Sequence, residues 1–116
     1  MRILVTALAL LTSSCATTTE PETVTLQKEF APHLWSDHKQ LNTSPDLCAT
    51  KGQSILGSLG FTSIVRNGYF VYGNFSSNRA VIKCVATDDG TFVYAAVAGP
   101  KVKIVEKLRN EIVWQL

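Results

Sequence analysis

The sequence predicts an α+β fold: a four-stranded antiparallel β-meander with two helices packed on one face, in the order αββββα. Three observations predict it. Four β-type runs follow one another between residues 61 and 97, separated by turn-forming pairs. One apolar stripe of helical period precedes them and a second follows them. The registers implied by the turns place the small and apolar residues of all four runs on a single face.

The first helix begins at Ser44-Pro45-Asp46, where Ser suits the N-cap, Pro the first helical position and Asp the first turn. Cys48, Gly52, Ile55, Leu56 and Leu59 then recur at i, i+4, i+7, i+8 and i+11, which is one stripe. Gly52 and Gly57 weaken the helix on propensity. On the stripe, however, Gly52 permits close approach to a sheet. Gly60 fits the stop position.

The strands are expected at FTSIV (61–65), YFVYGNF (69–75), AVIKCVA (80–86) and TFVYAAV (91–97). Asn67-Gly68 between two apolar runs is a strong hairpin signal, and Ser77-Asn78 and Asp89-Gly90 suit the two later turns. Two-residue turns at these places pair Ile64 with Val71, Val71 with Cys84, and Cys84 with Ala95. They also set Phe75 beside Ala80 and Ala86 beside Val93. Side chains alternate along a strand. Ile64, Val71, Gly73, Phe75, Ala80, Ile82, Cys84, Ala86, Val93, Ala95 and Val97 therefore share the face that carries the helices.

That face also bears on the cysteines. Cys48 and Cys84 form an even pair once Cys15 is set aside, and a helix-borne Cys48 can reach Cys84 on the sheet. An even pair favours a disulfide where the chain reaches an oxidising compartment, the destination expected from residues 1–15. Closing a loop of 36 positions is worth roughly 4 kcal/mol in the chain-entropy account. A reactive thiol or metal site has less in its favour, for there is no CxxC and no neighbouring histidine cluster.

The opposite face of the sheet carries Val65, Phe70, Tyr72, Val81, Lys83, Val85, Phe92, Tyr94 and Ala96. A solvated face normally alternates in polar residues, and this one is aromatic and apolar. Such patches mark interaction surfaces or something that covers them. Phe70, Tyr72, Lys83, Phe92 and Tyr94 are its candidate binding residues. Three occupants stay open: segment 24–35 with Phe30 and Trp35, a second copy, or another envelope protein or apolar ligand.

Gly99-Pro100 opens the last helix. Val105, Leu108 and Ile112 form its stripe, with Ile104 and Val113 beside it. Lys107 and Arg109 are expected to face away, and the basic KVK at 101–103 reads as a solvated face.

The N-terminal residues carry an address. Met1 and Arg2 are a short positive region, Ile3 to Leu11 an apolar core, and Thr12, Ser13 and Ser14 a run of small residues before Cys15. This is the layout of a secretory signal. Nine residues, all apolar but Thr6, at 1.5 Å each fall short of the roughly 20 that a membrane-spanning helix needs. The stretch Leu11-Thr12-Ser13-Ser14-Cys15 resembles the lipobox of bacterial lipoproteins, with Thr12 standing three residues before the cysteine and Leu11 one place earlier. The resemblance implies a diacylglyceryl group on the Cys15 sulfur, cleavage just before it, and acylation of the new amino terminus. Two or more acyl chains give stable anchoring. Ala16 in place of aspartate favours the outer over the inner membrane on the same resemblance. The expected organisation is a signal peptide over 1–14, an acylated cysteine and polar tether over 15–44, and a compact domain over 45–116. The tether begins rich in Thr and Glu with Pro21, a composition too polar to order itself.

Charge and motifs exclude more than they assign. Loss of Arg2 lowers the formal net charge from +2 to about +1, which makes no electrostatic case for nucleic acid. His33 and His38 with Asp37 in HLWSDH have the look of a metal site, but two histidines in a polar segment read as surface residues. No Ser or Cys has a base and orienter beside it, no carboxylates pair, and no glycine-rich phosphate loop occurs. Neither a cofactor nor a catalytic residue is expected. The αββββα layout, the cysteine pair and segments such as VYGNF and YAAVAG look like small exported modules that bacterial genomes encode, a likeness that implies no catalytic residues. The expectation is a lipid-anchored, non-catalytic envelope protein whose domain binds a protein or ligand in the periplasm. The alternative is a structural envelope protein that self-associates through the aromatic face.

Overall fold

The computed structural model describes residues 31–116. It contains β1 (His33–Leu41), α1 (Pro45–Ser58), β2 (Thr62–Asn67), β3 (Phe70–Phe75), β4 (Asn78–Thr87), β5 (Gly90–Gly99) and α2 (Val102–Gln115). The class is α+β with an antiparallel sheet and two helices. The sheet has five strands in the order β1-β5-β4-β3-β2, not the expected four. The added strand comes from the expected tether: residues 33–41 pair with β5, so the folded domain starts well before residue 45.

Local chemistry sets the ends of α1. Ser44 Oγ accepts from the Leu47 amide at 3.2 Å, which satisfies one of the orphan donors of the first turn. At the other end the Phe61 amide donates to Leu56 O and the Gly60 amide to Gly57 O. This double closure needs a left-handed residue, and Gly60 supplies it with φ +89°. Phe61 and Leu56 are both buried, so the stop is also an apolar contact.

Both helices pack on one face of the sheet. Cys48, Gly52, Ile55 and Leu56 of α1 are buried there, as are Val105, Leu108 and Ile112 of α2. They meet Val71, Ala80, Ile82, Cys84, Val93, Ala95 and Val97 from the strands. A Cβ on Gly52 would stand 3.2 Å from Ile82 Cδ1, so the missing side chain is what lets α1 sit this close. The sulfurs of Cys48 and Cys84 lie at bonding distance, 2.09 Å, with their Cα atoms 6.1 Å apart.

Next to its turn, every hairpin register differs from the expected one by two residues; β2 shifts once more between Thr62 and Val65. Val71 faces Arg66 and Ile82, where Ile64 and Cys84 were expected. Cys84 faces Val93 where Ala95 was expected, Phe75 faces Asn78, and Ala86 faces Thr91. The two-residue loops are Gly68-Tyr69, Ser76-Ser77 and Asp88-Asp89, each one place from the expected turn. Asn78 still governs its turn from the first position of β4, where its Nδ2 donates to Phe75 O at 3.0 Å. Because side chains repeat every second residue, a shift of two leaves each on its own face. The inner face is therefore the expected one. Ala86 lies on it but is exposed, near the turn end of β4.

Arg109 corrects the expectation for α2. It is half-buried, with its guanidinium carbon 5.1 Å from the centre of the Trp35 ring, and its Nη1 donates to Ser36 O at 3.2 Å. The expected outward direction took no account of β1, which lies alongside α2.

Candidate functional site

The pairing of five strands builds the outer face row by row. His38, Tyr94, Lys83 and Phe70 stand side by side across β1, β5, β4 and β3. Gln40, Phe92 and Val85 form the row on one side. Ser36, Ala96, Val81, Tyr72 and Val65 form the row on the other. All five candidate binding residues, Phe70, Tyr72, Lys83, Phe92 and Tyr94, thus share this face. Lys83 stands between Tyr94 and Phe70.

The aromatic side chains also touch one another. Phe70 and Tyr72 meet nearly edge to face with centroids 5.6 Å apart, and His38 lies 5.4 Å from Phe92. Edge-to-face pairs hold their rings in a preferred orientation, so part of the surface is pre-arranged. Among the described residues no element packs over it. Val65, Phe70, Val85 and Tyr94 each keep more than a third of their area exposed, and Leu34 at the rim keeps 67%. Trp35 of segment 24–35 does not cover this face, for it points to the helix side opposite Val97. Residues 24–30 lie outside the described residues.

The sheet edges are closed differently. On the free edge of β1, Ser36 O receives Arg109 and the His38 amide donates to the Asp37 carboxylate at 2.8 Å. On β2 the register breaks between Thr62 and Val65, with Ser63 at φ +52°. Charged side chains and bulges of this kind blunt strand-to-strand pairing. Among the described residues the outer face is less obstructed than either edge.

His33 and His38 do not converge. An odd spacing along one strand puts them on opposite faces, with His33 opposite Gly99 and His38 opposite Tyr94. Among the described residues no cluster of His, Cys, Asp and Glu could hold a metal ion. Ala31 and Pro32 share a shallow depression with Arg79 and Ala98, so the described chain begins at the rim of the outer face. Cys15, the expected lipidation site, and the expected signal peptide 1–14 lie outside the described residues. No described helix is long and apolar enough to cross a membrane.

Sequence reasoning missed His38, Gln40, Ser36 and Leu34, which extend the face by a whole strand. The available signal was the alternation of Leu34, Ser36, His38 and Gln40 with Trp35, Asp37, Lys39 and Leu41. Only Trp35 and Leu41 of the second set are apolar, so the period is faint. Comparison with known proteins adds no assignment: no family model, no curated protein and no solved structure matches the chain.

Proposed function

We propose that this chain is a lipid-anchored envelope protein whose small domain binds a protein or ligand in the periplasm through the outer sheet face, without catalysing a reaction. The observation that carries the reading is the gathering of Phe70, Tyr72, Lys83, Phe92 and Tyr94 on one face that no described element covers. Isolated exposed apolar residues need no explanation, but a contiguous aromatic patch does. Aromatic side chains are enriched at the centres of protein interfaces. The LTSSC stretch supports the anchor, and lipid on Cys15 would bring the domain to the membrane.

Two measurements test the reading. Fatty-acid labelling and membrane fractionation of the full chain beside Cys15→Ser tests the anchor. Label that depends on Cys15 is expected, and unlabelled wild type overturns it. Site-specific photocrosslinking in cells tests the face. Adducts are expected from position 94 and not from position 114, where Trp114 is 86% exposed on α2. Equal yields from the two positions, or none from position 94, would overturn the face as the binding surface.

A further inference from the structure

The charges of the described chain are segregated. Its acids are Asp37, Asp46, Asp88, Asp89, Glu106 and Glu111. Asp37 sits opposite Ala95 on the helix side of β1. Asp46 belongs to α1, Asp88 and Asp89 to a turn, and the two glutamates to α2. None projects from the outer face. That face carries Lys83 near its centre and Arg79 near its rim. The one ion pair among the described residues, Arg66 with Asp46, is elsewhere.

This placement constrains what can cover the face. An ammonium sealed under an apolar surface loses its water, and without a counter-charge that costs several kcal/mol. A purely apolar ligand would incur that cost. A second copy would as well: two-fold packing brings another Lys83 and another Arg79 into the same dry layer, and, among the described residues, no carboxylate of that face with them. What satisfies Lys83 is a carboxylate. What satisfies Phe70, Tyr72, Phe92 and Tyr94 around it is an apolar rim that keeps water from the pair, the arrangement found at interface hot spots.

The shape points to a protein element. Small-molecule sites are concave, and neither the depression beside Arg79 and Ala98 nor the one beside Ile104 and Leu108 is lined by Lys83, Phe70 or Tyr94. Strand addition is opposed at the edges by Arg109, Asp37 and the Ser63 irregularity. A helix laid on the sheet remains, as α1 and α2 are laid on the inner face. Resting on the binding function proposed above, we infer that the outer face receives an amphipathic helix of a partner protein, with one Asp or Glu in the middle of its apolar stripe seated on Lys83.

The test uses two synthetic amphipathic peptides of about 18 residues, five helical turns, with a leucine stripe. They differ at one central stripe position, Glu in one and Lys in the other. Each is titrated into the isotope-labelled mature chain carrying Cys15→Ser, and backbone amide shifts are followed. The Glu peptide should bind about tenfold more tightly, the scale of one charge-assisted contact. Its shifts should centre on Phe70, Val81, Lys83 and Tyr94, and Lys83→Glu should reverse the preference. Lys83 is exposed, so the charge reversal leaves the core untouched; Lys83→Gln, which should abolish the preference, provides a second variant. Equal binding of the two peptides at this face overturns the carboxylate and leaves the binding function standing. Binding of neither, or shifts confined to the helices, overturns the helix inference, whereas the absence of crosslinks from position 94 overturns the binding function on which it rests. Concentration-dependent dimerisation through Tyr94, seen by sedimentation of the free protein, replaces the helix with a second copy and overturns the inference.

Discussion

Arg109 lies over the Trp35 ring at 5.1 Å and, through Nη1, holds the carbonyl of the next residue, Ser36. One side chain of the last helix thus clamps the first strand by its ring and its backbone. Arg109→Ala should lower stability by about 1 kcal/mol, the combined scale of a cation–π contact and one hydrogen bond. Arg109→Lys keeps the charge but not the flat stacking surface and should fall between the two. Urea unfolding measures both, and hydrogen exchange should place the loss in β1.

Gly52 and Gly57 should respond to alanine with opposite signs. A Cβ on exposed Gly57 meets only Ile64 Cδ1 at 3.9 Å, so Gly57→Ala should stabilise by about 0.5–1 kcal/mol through helix propensity. At Gly52 the new methyl meets Ile82 at 3.2 Å. Ile82 is completely buried. Overpacking of roughly 1–3 kcal/mol should outweigh the propensity gain, and the urea midpoint should fall.

The Cys48–Cys84 bond joins α1 to β4. Intact-mass measurement should show a gain of two hydrogens on reduction. The double variant Cys48→Ala, Cys84→Ala should lose about 4 kcal/mol relative to the oxidised protein. Unchanged stability would mean that the helix is held by packing alone.

Both ends of α1 can be tested separately. Ser44→Ala removes the cap to Leu47 and should cost about 1 kcal/mol. Gly60→Ala forces a side chain into left-handed backbone and should cost roughly 1–2 kcal/mol. The two sites act at opposite ends of the helix, so their effects should add within about 0.5 kcal/mol.

What could be read from the sequence followed the range of the forces involved. Ser44, Pro45 and Gly60 act within a few residues of themselves, and their roles are visible in a short window. Faces of strands are nearly as local, because any even slip in register preserves them. All three hairpins slipped by two and the inner face survived intact. β1 was hidden for a different reason. An edge strand buries little, so His38, Lys39 and Gln40 obscure its alternation, and its partner residues lie beyond the whole of the intervening meander. Arg109 was misplaced as a consequence, since its position has meaning only against Trp35. The outer face was legible in its residues but not in its extent, which β1 enlarged.

The pairing of β1 with β5 sets a schedule. β1 emerges first from a chain delivered N-terminus first, yet its partner ends at Gly99. The meander from β2 to β5 can zip by short hairpins, whereas β1 must wait across a long loop for its place. During that wait HLWSDHKQL is an unpaired ribbon, and its charged and polar residues make it a poor template for wrong partners. The first of the described strands to be made is expected to be the last one seated, with Arg109, later still in the chain, placed to hold it.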